Sequence, residues 1–284
     1  MISQHARLAT GAAVIAALAL PSAASAKGTV IGGPLKVRAY QMTLVGSDAA
    51  KDTLSVVFNR TAGTSSQQHV YTFDRGVKVT STSISGKLGR FGAVNLKLTS
   101  ASSVKGTVPK GCTGKPGSTK RGTLTGSFKL VADTTYFKTL KAGSLRGSSS
   151  TGGSLRCDGP AGPGGPGGPG AGGPTLSMTD QTADGMLTFS ATKRTQTAMR
   201  MDDAGATAPA RVMHLIAAQG GGLAVSGGDT ATVKGISPFL AGTGNFSGER
   251  AGSMATGELS GNLFAKFDSI GAIALEGDAM LMGG

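Results

Sequence analysis

The sequence predicts an all-β protein, two β-sandwich or open-barrel-like bodies joined by a Gly/Pro-rich linker, and three observations predict it. Apolar residues recur with a period of two in short runs. The runs are separated by Gly, Ser, Thr and Asn. Glycine occurs 47 times in 284 residues, often enough to disfavour long amphipathic helices.

The chain opens with MISQHARLATGAAVIAALALPSAASA, which has Arg7 in a short leader, an apolar run from Leu8 to Leu20, Pro21, and Ala24 and Ala26 flanking Ser25. That order of features is a secretory signal peptide over residues 1–26, cleaved after Ala26. The apolar run is short of the roughly 20 residues that a membrane span requires, and no later stretch is long and apolar enough to serve. The expectation is a secreted protein, extracellular or held non-covalently at the cell surface.

The first body, residues 27–157, reads as strands. Leu54, Val56 and Phe58 share one face, as do Val94, Leu96 and Leu98, and again Leu124, Phe128 and Leu130. Alternation of this kind between turn-forming residues marks half-buried strands. In an oxidising compartment its two cysteines, Cys112 and Cys157, read as a disulfide, because there is no C-x-x-C and no clustered histidine to make a metal or redox site. Closing that loop contributes about 4 kcal/mol in the chain-entropy description.

CDGPAGPGGPGGPGAGGP follows, with four G-P-x triplets before the frame breaks at Ala171. A collagen helix needs a sustained register in three chains, so residues 158–174 are read as a linker. On this reading the two bodies move semi-independently.

The second body, residues 175–284, repeats the strand pattern. Leu187, Phe189 and Ala191 alternate, then Val212, His214 and Ile216, then Leu259, Leu263 and Phe267. Its many methionines are flexible core filling in a domain short of aromatics.

The stretch from Leu88 to Gly147 carries four further elements: a GRFG turn (Gly89–Gly92), a PKGCTGKP loop (Pro109–Pro116), a GTLTGSF strand (Gly122–Phe128), and an aromatic pair, Tyr136–Phe137, before the basic Lys138–Arg146. In these it resembles a group of uncharacterised secreted β-rich proteins of actinobacteria, and the end of the second body resembles them more faintly from Ser237 onward. The resemblance implies export and a β fold. It implies no activity.

Charge divides at the linker. Residues 27–157 hold 20 Lys and Arg against four acids, a balance of +16, whereas residues 175–284 hold seven bases against ten acids, or −3. Lys110, Lys115, Lys120, Arg121, Lys138, Lys141 and Arg146 crowd the region around the Cys112 loop and are the candidate contacts to a polyanion. The opposing interpretation is a solvated surface that keeps strand edges from pairing. Anionic cell-wall polymer or an anionic lipid surface matches the charge. Nucleic acid matches it least, because Tyr40, Tyr71 and Tyr136 are the only tyrosines available to stack on bases.

Catalytic chemistry is sparse. His69 alternates with Tyr71 and Phe73 beside Asp74, an arrangement that fits a His–carboxylate pair or, more simply, a structural histidine. His214 lies between apolar neighbours and reads as packed. Asp202, Asp203, Glu249 and Glu258 form a glycosidase pair only if the fold brings two of them together. No serine elbow occurs. Gly242–Gly244 followed by Gly248 misses the dinucleotide spacing, and neither Gly86-Lys87 nor Gly114-Lys115 continues as a phosphate loop. No cofactor and no catalytic residue is expected. The leading expectation is a non-catalytic surface-associated protein, and the alternative is an extracellular hydrolase with its carboxylates in the second body.

Overall fold

Period-two patterning folds the described residues into twenty-three strands. The structure, a computed structural model, describes residues 29–37, 39–48, 50–131, 140–152, 154–157, 173–182, 185–203 and 210–283. The expected signal peptide and nearly all of the expected linker, with Lys138 and Tyr136, lie outside them. The first half of the chain holds β1 (Thr29–Val37), β2 (Tyr40–Ser47), β3 (Thr53–Ala62), β4 (Ser65–Phe73), β5 (Val77–Thr80), β6 (Ser83–Lys87), β7 (Gly92–Lys105), β8 (Cys112–Lys115), β9 (Ser118–Leu130), β10 (Leu140–Thr151) and β11 (Ser154–Cys157). The second holds β12 (Thr175–Thr182), β13 (Gly185–Thr192), β14 (Thr195–Asp203), β15 (Ala210–Gln219), β16 (Leu223–Ser226), β17 (Thr230–Lys234), β18 (Leu240–Ala241), β19 (Thr243–Ala251), β20 (Met254–Gly261), β21 (Phe264–Phe267), β22 (Gly271–Ala274) and β23 (Gly277–Met282). Apart from one short 3₁₀ turn, Gly89–Phe91, no helix occurs among the described residues.

Antiparallel pairing links eighteen of these strands into one sheet. Followed through its ladders, the sheet runs β5-β6-β7-β9-β10-β1-β2-β3-β4, crosses to β15, and continues β14-β13-β12-β23-β20-β19-β17-β16. The two halves have the same topology. Each begins with a four-strand meander whose last strand sits at the seam and whose first strand pairs with the last long strand of that half, β1 with β10 and β12 with β23.

The alternating residues read from the sequence are the core. Leu54, Val56, Phe58, Val94, Leu96, Leu98, Leu124, Phe128 and Leu130 are buried together in the first half, and Leu187, Phe189, Ala191, Ile216, Leu259, Leu263 and Phe267 in the second. The GRFG stretch closes the first core from one end. Its 3₁₀ turn drives Phe91 fully inside, and Gly92 follows at φ 121°, where a Cβ would lie 2.1 Å from the Lys129 carbonyl oxygen. Only glycine fits that approach.

The seam alters the expected organisation. β4 and β15 pair continuously, from Ala210 opposite Phe73 to Ala218 opposite Ser65. Val212 packs into the first core and Ala62 against the second, so each half borrows from the other. Semi-independent bodies therefore give way to one hydrogen-bonded sheet, because two strand edges with matching inward faces bury each other rather than face water.

Candidate functional site

The seam carries the densest polar chemistry of the described residues. Opposite residues of an antiparallel ladder face the same side, so the inward face along β4 and β15 reads Tyr71 with Val212, His69 with His214, and Gln67 with Ile216. Tyr71 and Val212 belong to the first core and Ile216 to the second. The histidine pair lies where one core gives way to the other. His69 and His214 are both buried, and their Nδ1 atoms are 2.7 Å apart.

A chain of polar groups runs outward from this pair in both directions. On one side His214 Nε2 lies 3.4 Å from Asp202 Oδ2, and Asp202 Oδ1 accepts from Arg200 Nε at 2.7 Å, both from β14. On the other side His69 Nε2 is 3.2 Å from the Tyr40 hydroxyl of β2. That hydroxyl donates to Asp268 Oδ2 at 2.5 Å, and Arg60 of β3 donates to the same oxygen at 2.6 Å. Each end is thus an arginine–carboxylate pair. The small sheet β18–β21–β22 brings the turn after β21 over the seam, which places Asp268 and sets Ser269 Oγ 3.0 Å from His214 Nδ1. Gln67 donates to the Lys266 carbonyl at 3.0 Å and anchors that turn.

Burial sets the electrostatics. His69 is pushed down to about 3, first by desolvation and then by the neighbouring His214, so it is neutral at ordinary pH. Tyr40 is raised far above the phenol range by burial and by the Asp268 carboxylate. For Asp202 burial alone would raise the carboxyl, but the hydrogen bonds from His214 and Arg200 outweigh it and hold the group below its ordinary value.

The sequence reading missed this cluster as a unit. His69 is not paired with Asp74, which lies beyond the inward-facing run of β4 and takes Lys51 at 2.7 Å instead. His214 is packed, as expected, yet against a second histidine. Asp202 joins the cluster, while Glu249 and Glu258 stay exposed; the Asp203 side chain lies outside the described residues. Glu258 does gain an acidic neighbour, Asp278 directly opposite on β23, above an open outer groove lined also by Ser177, Thr179, Thr256 and Met280. Setting QHVYTF on MHLIAA aligns the two histidines and is the signal that could have found the seam.

The basic residues divide over two regions. The outer face of β6, β7, β9 and β10 presents Lys87, Lys97, Lys129, Arg121 and Arg146, all exposed. The register places Lys87, Ala93, Lys129 and Lys141 in one row across four strands, and Arg146 opposite Thr123 two residues along from Arg121. Lys120 is exposed on the opposite side of β9, and Lys110 and Lys115 flank Cys112 in the exposed loop and β8. None of Lys87, Lys97, Arg121, Lys129 and Arg146 is in an ion pair among the described residues. The chain has no Asp or Glu between Asp74 and Asp133.

Among the described residues no group of three or more His, Cys, Asp or Glu could hold a metal ion, and no helix is long and apolar enough to cross a membrane. No family model, no curated protein and no solved structure matches the chain.

Proposed function

We propose that this is a non-catalytic exported protein that holds anionic surface polymers against the outer face of β6, β7, β9 and β10. One observation carries the reading: a strand face bears five exposed cations among serines and threonines, four of them, Lys87, Lys97, Arg121 and Lys129, on the stretch between Asp74 and Asp133 that holds no carboxylate. Such a face attracts any polyanion over about a Debye length, and binding releases counterions. The signal-peptide pattern and the resemblance to secreted actinobacterial proteins support export. A hydrolase would draw on Glu258 and Asp278, but their groove lies open on the sheet surface, and nothing beyond their adjacency points to a substrate.

The test is retention of the whole mature protein on purified anionic wall polymer and on anionic vesicles through a salt series. Replacing Lys87, Lys97, Arg121 and Lys129 together by Gln lowers retention and flattens the salt dependence by about one unit of log K per log salt for each cation that paired with the polymer. Circular dichroism stays unchanged, since exposed charges contribute at most about 1 kcal/mol each. Undiminished retention of the variant would show that this face is not the binding face.

The same reading includes a disulfide between Cys112 and Cys157. Support comes from β8 and β11, whose register sets the two residues directly opposite each other, a separation at which antiparallel Cα atoms lie about 4.5–5.5 Å apart, within the bridgeable range. Non-reducing peptide mapping of the secreted protein yields the two cysteine peptides joined; separate peptides with alkylated thiols would refute the bond.

A further inference from the structure

We propose that the His69–His214 pair is a proton-binding site of limited capacity, which makes the joint between the two halves weaken in acid. With Nδ1 atoms 2.7 Å apart, one hydrogen fits between the rings. Two imidazolium ions would set two N–H groups head to head. The joined protein therefore accepts at most one proton at this pair, whereas a parted or unfolded chain accepts one on each ring as pH falls through about 6.5.

The surroundings do not lift that limit. Among the described residues the groups facing the pair include Tyr40 from β2, Arg60 from β3, Gln67 from β4, Arg200 and Asp202 from β14, and Asp268 and Ser269 from the turn after β21. Among the described residues the two arginines balance the two carboxylates, leaving no surplus negative charge there to hold a second cation. Desolvation opposes even the first at His69, whose depressed value agrees with this.

The sign follows from linkage. A histidine depressed in the folded state contributes nothing unfavourable above about pH 6.5, and its penalty grows as pH falls toward the folded value of about 3. One proton of difference corresponds to about a tenfold fall in the joining equilibrium for each unit of pH. Asp202, depressed by its partners, acts in the same direction at lower pH, where its protonation removes the acceptor of His214. The effect is confined to the joint because each half has its own core, and the polar pair lies between them.

The experiment is amide hydrogen exchange on the full-length mature protein from about pH 8 to about pH 4.5, corrected for intrinsic rates, together with nitrogen-15 NMR of the two imidazoles. Below about pH 6 protection at β4 and β15 falls about tenfold per unit relative to β9 and β20, and at about pH 5 at least one ring is still neutral. The double substitution His69→Asn with His214→Asn removes the pH dependence of β4 and β15. Should that variant fail to fold, the wild-type NMR decides: two imidazolium rings at about pH 5 with unchanged protection at β4 and β15 would overturn the proposal.

Discussion

Made as two separate chains and mixed, residues 27–157 and 175–284 form a one-to-one complex that survives gel filtration, and neither is soluble alone at the concentrations where the pair is. Separation leaves β4 and β15 as long open edges, the condition that invites aggregation. The inward faces beside those edges also lose cover: Tyr71 loses Val212 opposite it, and His69 and His214, buried against each other, meet water. The first core loses Val212 and the second loses the cover of Ala62. At about 25 cal/mol per Å² of apolar area, exposing even three or four of these side chains costs each half several kcal/mol, a large part of a typical domain's stability. Persistence through gel filtration implies a Kd below about 1 μM, or about 8 kcal/mol. Size-exclusion chromatography of each fragment and of the mixture is the measurement. Two well-behaved monomers that ignore each other would mean that the β4–β15 ladder does not hold the protein together.

Asp268→Ala lowers the unfolding free energy by about 2–3 kcal/mol, and Asp278→Ala by no more than about 0.5. Both are aspartates of the second half. Asp268 Oδ2 accepts from both the Tyr40 hydroxyl and Arg60, so its removal leaves a cation over the Phe239 ring without its counter-charge and releases the turn that covers the histidines. Loss of one partner from a buried pair costs about 3–5 kcal/mol; with the Arg60 side chain 33% exposed and that of Asp268 20%, water screens part of this. Asp278 stands on the outer face and faces Glu258, a like charge. Urea denaturation of the three proteins provides the comparison, and restoration by Arg60→Met added to Asp268→Leu would separate loss of pairing from loss of packing. Equal effects of the two alanine substitutions would remove Asp268 from the seam's support.

Much of the fold could be read one strand at a time. Whether Leu54, Val56 and Phe58 face inward depends on the alternation of side chains along a strand, a local property, and all three are buried. Strand class, the pull of glycine against helices and the concentration of cations in the first half are likewise written residue by residue. The row formed by Lys87, Lys129 and Lys141 is not, because it exists only after β6, β7, β9 and β10 take their register.

The seam depends wholly on long-range pairing. Beyond a single histidine set in each of the runs QHVYTF and MHLIAA, nothing in either half states that β4 will take β15 as its neighbour, and a shift of one residue would turn His69 and His214 to opposite faces. The Tyr40 hydroxyl meets Asp268 across 228 positions of chain, and the two imidazoles meet across 145. Residue order alone accounts for the alternation that makes each half a β sheet, and for the charge each half carries. The closure of two cores against one shared ladder selected which polar groups would be trapped between them, and their low-dielectric burial then set their protonation.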